Sequence, residues 1–203
     1  MTGTPPTRLL VATTNTGKLD EIRGILGERV VTLLTLADHP AIPEPDETGS
    51  TFAENARLKA RHYAAATGEL AVAEDSGLEI DALNGEPGVR SSRFNGGSYA
   101  EKFATIRQML AERGTEASTA RFVCALALAQ ADRLVWETTG VVEGHLVLPP
   151  RGHAGFGYDP IFYYPAYGRT LAEVTVEEKA AVSHRGQAFR RLRIYLEPRA
   201  DAG

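Results

Sequence analysis

This chain of 203 residues has little cysteine, tryptophan or methionine: one, one and two residues respectively. Its only cysteine, Cys124, excludes an intramolecular disulfide and any zinc site built on several thiolates, so a reducing cytoplasm is the default setting. Long apolar runs are missing as well. The longest, Phe122 to Ala129, is less than half of what crosses a bilayer, and Leu9 to Ala12 is too short for a signal-peptide core, so no membrane role follows. Positive charge is scarce: 22 Lys and Arg stand against 26 Asp and Glu, a formal charge of -4. Without a global positive field, nucleic acid is a poor candidate partner.

What is present is 43% hydrophobic and 24% charged, the composition of a globular protein. The length suits one domain, expected over residues 8–197, with the polar stretch Met1 to Thr7 as a disordered extension. Arg8 to Thr14 reads as a buried strand, and Leu19, Ile22, Ile25 and Leu26 recur at helical spacing behind it. Val30 to Leu36 is a second strand, followed by a long loop rich in proline and acid from Asp38 to Ser50. Thr51 and Glu54 form a capping box that opens a helix to Ala66, with Gly68 as its C-cap. Short strands are expected at Leu70 to Ala73 and Leu78 to Leu83, so that Glu74 to Gly77 falls at a strand end. A loop from Asn84 to Gly97, a helix from Ser98 to Arg113 and a hairpin of Thr119 to Ala129 with Leu134 to Val142 come next. Helices are expected from Thr175 and over Gln187 to Leu196. The order βαβαββαββα predicts an α/β protein with a mixed sheet.

Four segments carry chemistry. Thr13, Thr14, Asn15, Thr16, Gly17 and Lys18 link a strand to a helix, and such a turn offers hydroxyls, backbone N–H groups and one lysine to an anion. It is not a Walker A loop, because Ala12 and Leu19 stand where that motif needs glycine and a hydroxyl; an ordinary polar helix start is the alternative. Asp46-Glu47 and Glu74-Asp75 are two separated acid pairs of the kind that hold magnesium if the fold joins them, and otherwise merely solvated acids. Gly152 to Pro160 supplies Gly152, Gly155 and Gly157 for close backbone approach, Phe156 and Tyr158 as faces for a planar base, and Asp159 as an acceptor; a glycine-rich hairpin fits it equally. Lys179 with Ser183, His184, Arg185 and Gly186 could neutralise phosphate or donate to a carbonyl, or form an exposed basic helix end. His39, His62, His145 and His153 match no metal spacing, and Lys59, one turn after Asn55, either reaches toward a triphosphate or, as is commoner, is an exposed helix lysine.

Together these motifs closely resemble the inosine triphosphate pyrophosphatases, which remove non-standard purine nucleotides. The resemblance rests on Thr13 to Lys18, Glu47-Thr48-Gly49 before Thr51-Phe52 and Glu54-Asn55-Ala56, Asp75 to Leu78, Pro87 to Val89, Gly155 to Pro160 and Ser183 to Gly186, in the family's order from about Arg8 to Leu196. It implies an elongated mixed β-sheet flanked by helices, two lobes with a central active-site cleft, and a homodimer. It also implies magnesium-dependent cleavage of ITP, dITP or XTP between the α and β phosphates. On this chain Asp75 would be the general base and a metal ligand, with Glu47 the other ligand. Thr13 to Lys18 and Ser76 would hold phosphates. Phe156, Gly157, Tyr158 and Asp159, with His184 and Arg185, would recognise the base, and Lys179 would support the nucleotide. Thr14, where glycine is frequent, and Glu74, where aspartate is, depart from the pattern. The rivals are a nucleotide-binding module without cleavage and a pyrophosphatase for modified pyrimidine nucleotides.

Overall fold

In the computed structural model, which describes residues 7–27 and 30–197, seven strands form one sheet. β1 (Thr7–Val11) lies between β2 (Val31–Thr35) and β3 (Leu70–Ile80), parallel to both. β4 (Thr119–Gln130), β5 (Arg133–Leu146), β6 (Phe162–Tyr164) and β7 (Arg169–Thr170) follow in turn, each antiparallel to its neighbour. Five helices flank the sheet: α1 (Thr16–Leu26), α2 (Phe52–Thr67), α3 (Tyr99–Glu112), α4 (Val176–Val182) and α5 (His184–Leu196). This is the mixed-sheet α/β class that the element order predicts.

Each face of the sheet is covered by residues of matching size. α2 lays Ala56, Ala60 and Ala64 against Ala71, Ala73, Ala125 and Ala127, and these small side chains let the helix approach the strands closely. On the opposite face α1 and α5 bury Ile22, Leu26, Phe189 and Leu192 against Leu9, Val72, Leu126 and Leu128. α3 seals a third cluster, in which Ile106 and Leu110 meet Leu78, Ile80, Phe122 and Phe162. The helix starts are fixed by side-chain caps: Thr51, Ser98 and Thr175 each exchange hydrogen bonds with the glutamate three residues on. Gly68, at φ +73°, ends α2 in the left-handed conformation that glycine adopts without penalty.

One topological detail positions everything that follows. β1 pairs with β3 only from Leu9–Val11 to Leu70–Val72; Ala12 then donates to the Val72 carbonyl and the chain turns away into α1. β4 pairs with the other edge of β3 from Ala71 to Ile80. Beyond Val72, β3 therefore has no strand on its β1 side, and the Thr13 to Lys18 turn lies there instead. The crevice beyond the carboxyl end of a parallel strand is where α/β sheets admit ligands.

The structure corrects several expectations. The two short strands around Glu74 to Gly77 are one continuous strand, β3, whose polar residues are tolerated because buried ionic partners meet them. β5 extends to Leu146, and α5 begins at His184, not Gln187, because Ser183 caps it by accepting from Gly186 N. β6 and β7 have three and two residues, too short to leave a periodic signal. The expected loops contain single 3-10 turns, Leu36–Asp38 at the edge of one and Gly88–Arg90 within the other. Of the expected extension, residues 1–6 lie outside the described ones, while Thr7 already belongs to β1.

Gly140 pairs with Cys124 across β4 and β5, and a Cβ there would collide with the carbonyl oxygen of His184. The first turn of α5 thus rests directly on strand backbone. Gly140→Ala is expected to destabilise the protein by about 1–3 kcal/mol through overpacking, read as a lower urea midpoint at unchanged slope.

Candidate active site

A cavity of about 580 Å³ opens beside the free edge of β3. Thr13, Thr14, Asn15, Lys18, Glu47, Asp75, Ser76, Phe156, Gly157, Tyr158, Asp159, Lys179, His184 and Arg185 all line it. The remaining expected residues, Thr16 and Gly17, do not; they form the first turn of α1. Gly17 lies under Phe156, where a Cβ would stand 3.3 Å from the ring. Asn15 sets the direction of that helix, its Oδ1 accepting from Lys18 N at 3.1 Å. Thr14 donates to Glu44 at 3.3 Å, tying the turn to the acidic loop.

Side chains alternate along β3, so Glu74 and Asp75 act on opposite faces of the sheet. Asp75 faces α2. Its Oδ2 accepts from Asn55 Nδ2 at 3.0 Å and its Oδ1 from Lys59 Nζ at 3.3 Å. The same ammonium donates to Glu47 Oε1 at 2.6 Å, so the fold brings the two separated carboxylates to one positive charge. Lys59 is therefore not an exposed helix lysine: its side chain is 15% exposed and spans both acids. Burial raises the proton affinity of Asp75 above the ordinary aspartate value, and neighbouring Glu47 adds to the effect against the pull of Lys59. For Glu47, burial pushes the same way, but Lys59 and Arg93 outweigh it and hold the carboxyl below its usual range.

Glu74 faces α1 and α5. Arg185 grips it with Nε at 3.0 Å from Oε2 and Nη2 at 3.0 Å from Oε1, and Lys18 Nζ stands 2.8 Å from Oε1. Burial alone would raise the Glu74 carboxyl, yet Arg185 and Lys18 hold it well below the glutamate range. Arg185 also donates to Glu21 at 2.7 Å and to Ser76 Oγ at 3.2 Å, which leaves it one free N–H of five. Glu21 reaches Lys179 at 2.8 Å, and Lys179 reaches Asp159 at 2.6 Å. This buried ionic chain ends beneath Phe156, with Lys179 Nζ 4.3 Å and the Arg185 guanidinium carbon 5.4 Å from the ring centroid.

The glycine-rich segment is held by Asp159, whose Oδ2 accepts from Phe156 N at 2.8 Å. Gly155, at φ +71°, is needed there because a Cβ would strike that carboxylate. Gly157 brings bare backbone to the cavity wall beside Tyr99, whose hydroxyl would lie 3.5 Å from a Cβ at that position. Of the two aromatic residues expected to offer a face, Phe156 stands at the cavity on its cationic neighbours. Tyr158 instead packs into the core edge-on to Tyr99 at 5.3 Å, its hydroxyl donating to Ser91 O at 2.8 Å. The His184 ring stacks on Phe122 at 4.8 Å. Burial and the adjacent Arg185 push its pKa well below the ordinary histidine value, so the ring is neutral near pH 7, and Nδ1 has no hydrogen-bond partner among the described residues.

Four participants, Asn55, Lys59, Glu21 and Arg93, receive no assigned role from the sequence. Asn55 and Lys59 share a face of α2 at i, i+4 spacing, and Glu21 follows Lys18 by one turn; those spacings are signals, but common ones. Arg93 sits in a stretch with no periodicity, and only the fold shows its Nη1 3.0 Å from Glu47 Oε2. Among the described residues no cluster of three or more His, Cys, Asp or Glu could hold a metal. No helix among them is long and apolar enough to cross a membrane.

Comparison with known proteins agrees with the geometry. A dITP/XTP pyrophosphatase from Exiguobacterium sibiricum is 45% identical over 191 residues, covering 93% of this chain and 96% of its own. One from Thermus thermophilus is 47% identical over 186 residues, covering 91% and 89%. The solved structure of a HAM1 protein from Coxiella burnetii superposes with a TM-score of 0.87 at 41% identity, covering 94% of this chain and 98% of that one. The model of the Ham1 family matches residues 9–195, nearly the whole described chain, and the protein belongs to that family.

Proposed function

We propose that the protein hydrolyses non-standard purine nucleoside triphosphates (ITP, dITP and XTP) to the monophosphate and pyrophosphate, with magnesium as cofactor. The observation that carries this reading is the meeting of Glu47 and Asp75 at the Lys59 ammonium, next to a turn built for anions. The names of the relatives point the same way.

The residues present suit magnesium. Five cationic and six acidic side chains line the cavity, so a polyanion is not drawn in unless positive charge comes with it. The Glu47 and Asp75 carboxylates, brought to one ammonium, are the oxygen ligands magnesium takes while waters and phosphate oxygens complete its shell. When bound by Glu47 and Asp75, the ion would neutralise phosphate charge and polarise the bond to be cleaved. Asp75 orients and deprotonates the attacking water, and its raised proton affinity suits that role. Asn55 holds the second Asp75 oxygen and so fixes the plane of the carboxylate. Lys18, Ser76 and the Thr13 to Asn15 turn bind phosphate oxygens. Phe156 offers its face to the base, and the opening turn of α5 at His184 and Arg185 carries backbone N–H groups that lack intrahelical acceptors. These donors match the C6 oxygen of hypoxanthine or xanthine and face another donor in adenine.

The test is incubation with magnesium and ITP, XTP, dTTP or ATP, followed by identification of the released anion. Pyrophosphate from ITP and XTP is expected, with ATP turned over at about a tenth of the ITP rate or less. Orthophosphate as the product, or equal rates on ATP and ITP, would refute the reading. A homodimer belongs to the same reading and is tested by sedimentation of the purified chain.

A further inference from the structure

Four of the five cationic side chains lining the cavity each hold two or more protein partners. Lys18 is held by Glu74 and Ser76, Lys59 by Glu47 and Asp75, Lys179 by Asp159 and Glu21, and Arg185 by Glu74, Glu21 and Ser76. Arg93 differs. Among the described residues its guanidinium makes one hydrogen bond, to Glu47, and its side chain is 51% exposed. Glu47 in turn is divided between two cations, Lys59 at 2.6 Å and Arg93 at 3.0 Å. Each cation takes a different Glu47 oxygen, and among the described residues the Arg93 guanidinium fork keeps most of its donors without a protein acceptor.

Arg93 also stands at a particular place. Contacts run from Phe156 through Lys179, Glu21 and Arg185 to Ser76, next to Asp75 on β3; from Asp75 they run through Lys59 to Glu47 and then Arg93. Phe156 thus rests on cations of the network around Glu74 on one face of the sheet, and Arg93 belongs to the group around Asp75 on the other, while the Tyr158 hydroxyl joins their two segments by donating to Ser91 O. If the base lies on Phe156 and Asp75 serves the bond that breaks, the phosphates beyond that bond meet the Asp75 side of the site, where Arg93 stands. We infer that Arg93 binds the departing pyrophosphate, exchanging Glu47 for phosphate oxygens as substrate enters. The inference rests on the proposed hydrolysis and assigns a residue to the half of the substrate that leaves.

Calorimetric binding of the two products separates this role from a merely structural one. With magnesium present, Arg93→Met is expected to bind inorganic pyrophosphate about 10-fold more weakly than the parent, while inosine monophosphate binds within about twofold. Arg93→Lys keeps the charge without the fork and should fall between the two; if the methionine variant fails to fold, the lysine variant decides. Unchanged pyrophosphate affinity, or equal weakening for both products, overturns the role of Arg93 and leaves the hydrolase reading standing. Failure of the parent itself to bind pyrophosphate or release it from ITP removes both.

Discussion

Asp75→Asn is expected to lower kcat on ITP by about 10² to 10⁴ without lowering the thermal stability of the protein at pH 7. The first half follows from the loss of the proposed general base. The second follows from the sign of the Asp75 shift. Burial, helped by Glu47, raises its proton affinity in the folded state, so folding favours the protonated form. The stability this represents is present at acid pH and lost as pH rises through the folded-state value, where the buried charge becomes a cost. An isosteric amide removes that charge, and Lys59 keeps Glu47 as its partner. A variant retaining parental kcat would remove Asp75 from the role of base.

Glu74→Gln, one residue away, should do the reverse: a loss of stability of about 3–5 kcal/mol at neutral pH. Glu74 and Arg185 are each 2% exposed at the side chain, and neutralising the acid leaves the guanidinium with Glu21 alone among its carboxylate partners. Breaking such a pair costs far more than its formation contributes, because one buried charge remains. The depressed pKa fixes the pH dependence. The stabilisation is present above the unfolded glutamate value of 4.5 and is lost as pH falls through the lower folded one. Urea denaturation of parent and variant should thus diverge at pH 7 and converge in acid. A difference below about 1 kcal/mol at pH 7 would show that the network carries no such weight.

Much of this was legible in the residues. The capping boxes at Thr51, Ser98 and Thr175 and the glycine stop at Gly68 locate three helices, because their hydrogen bonds are local. The Thr13 to Lys18 turn and the two acid pairs were visible for the same reason. What could not be read depends on contacts distant in sequence. Glu74 to Ser76 looks like a strand terminus because charged residues rarely sit within a strand; partners distant in sequence, Lys18 and Arg185 for Glu74 and Asn55 and Lys59 for Asp75, make their burial tolerable. Lys59 resembles any helix lysine until Glu47 and Asp75 close over it, and Tyr158 resembles a stacking platform until Ser91 claims its hydroxyl. β6 and β7 are defined by their neighbours more than by their own residues.

The pleat of β3 has a practical consequence for redesign. Neighbouring carboxylates answer to different helices, and on the proposed reading the α2 layer would serve the anhydride while α5 and the Phe156 segment would meet the base. Substitutions confined to α5 and the Phe156 segment, with Lys18 and the α2 residues kept, are then the place to seek a changed base preference. Two adjacent codons would mark the seam between the two.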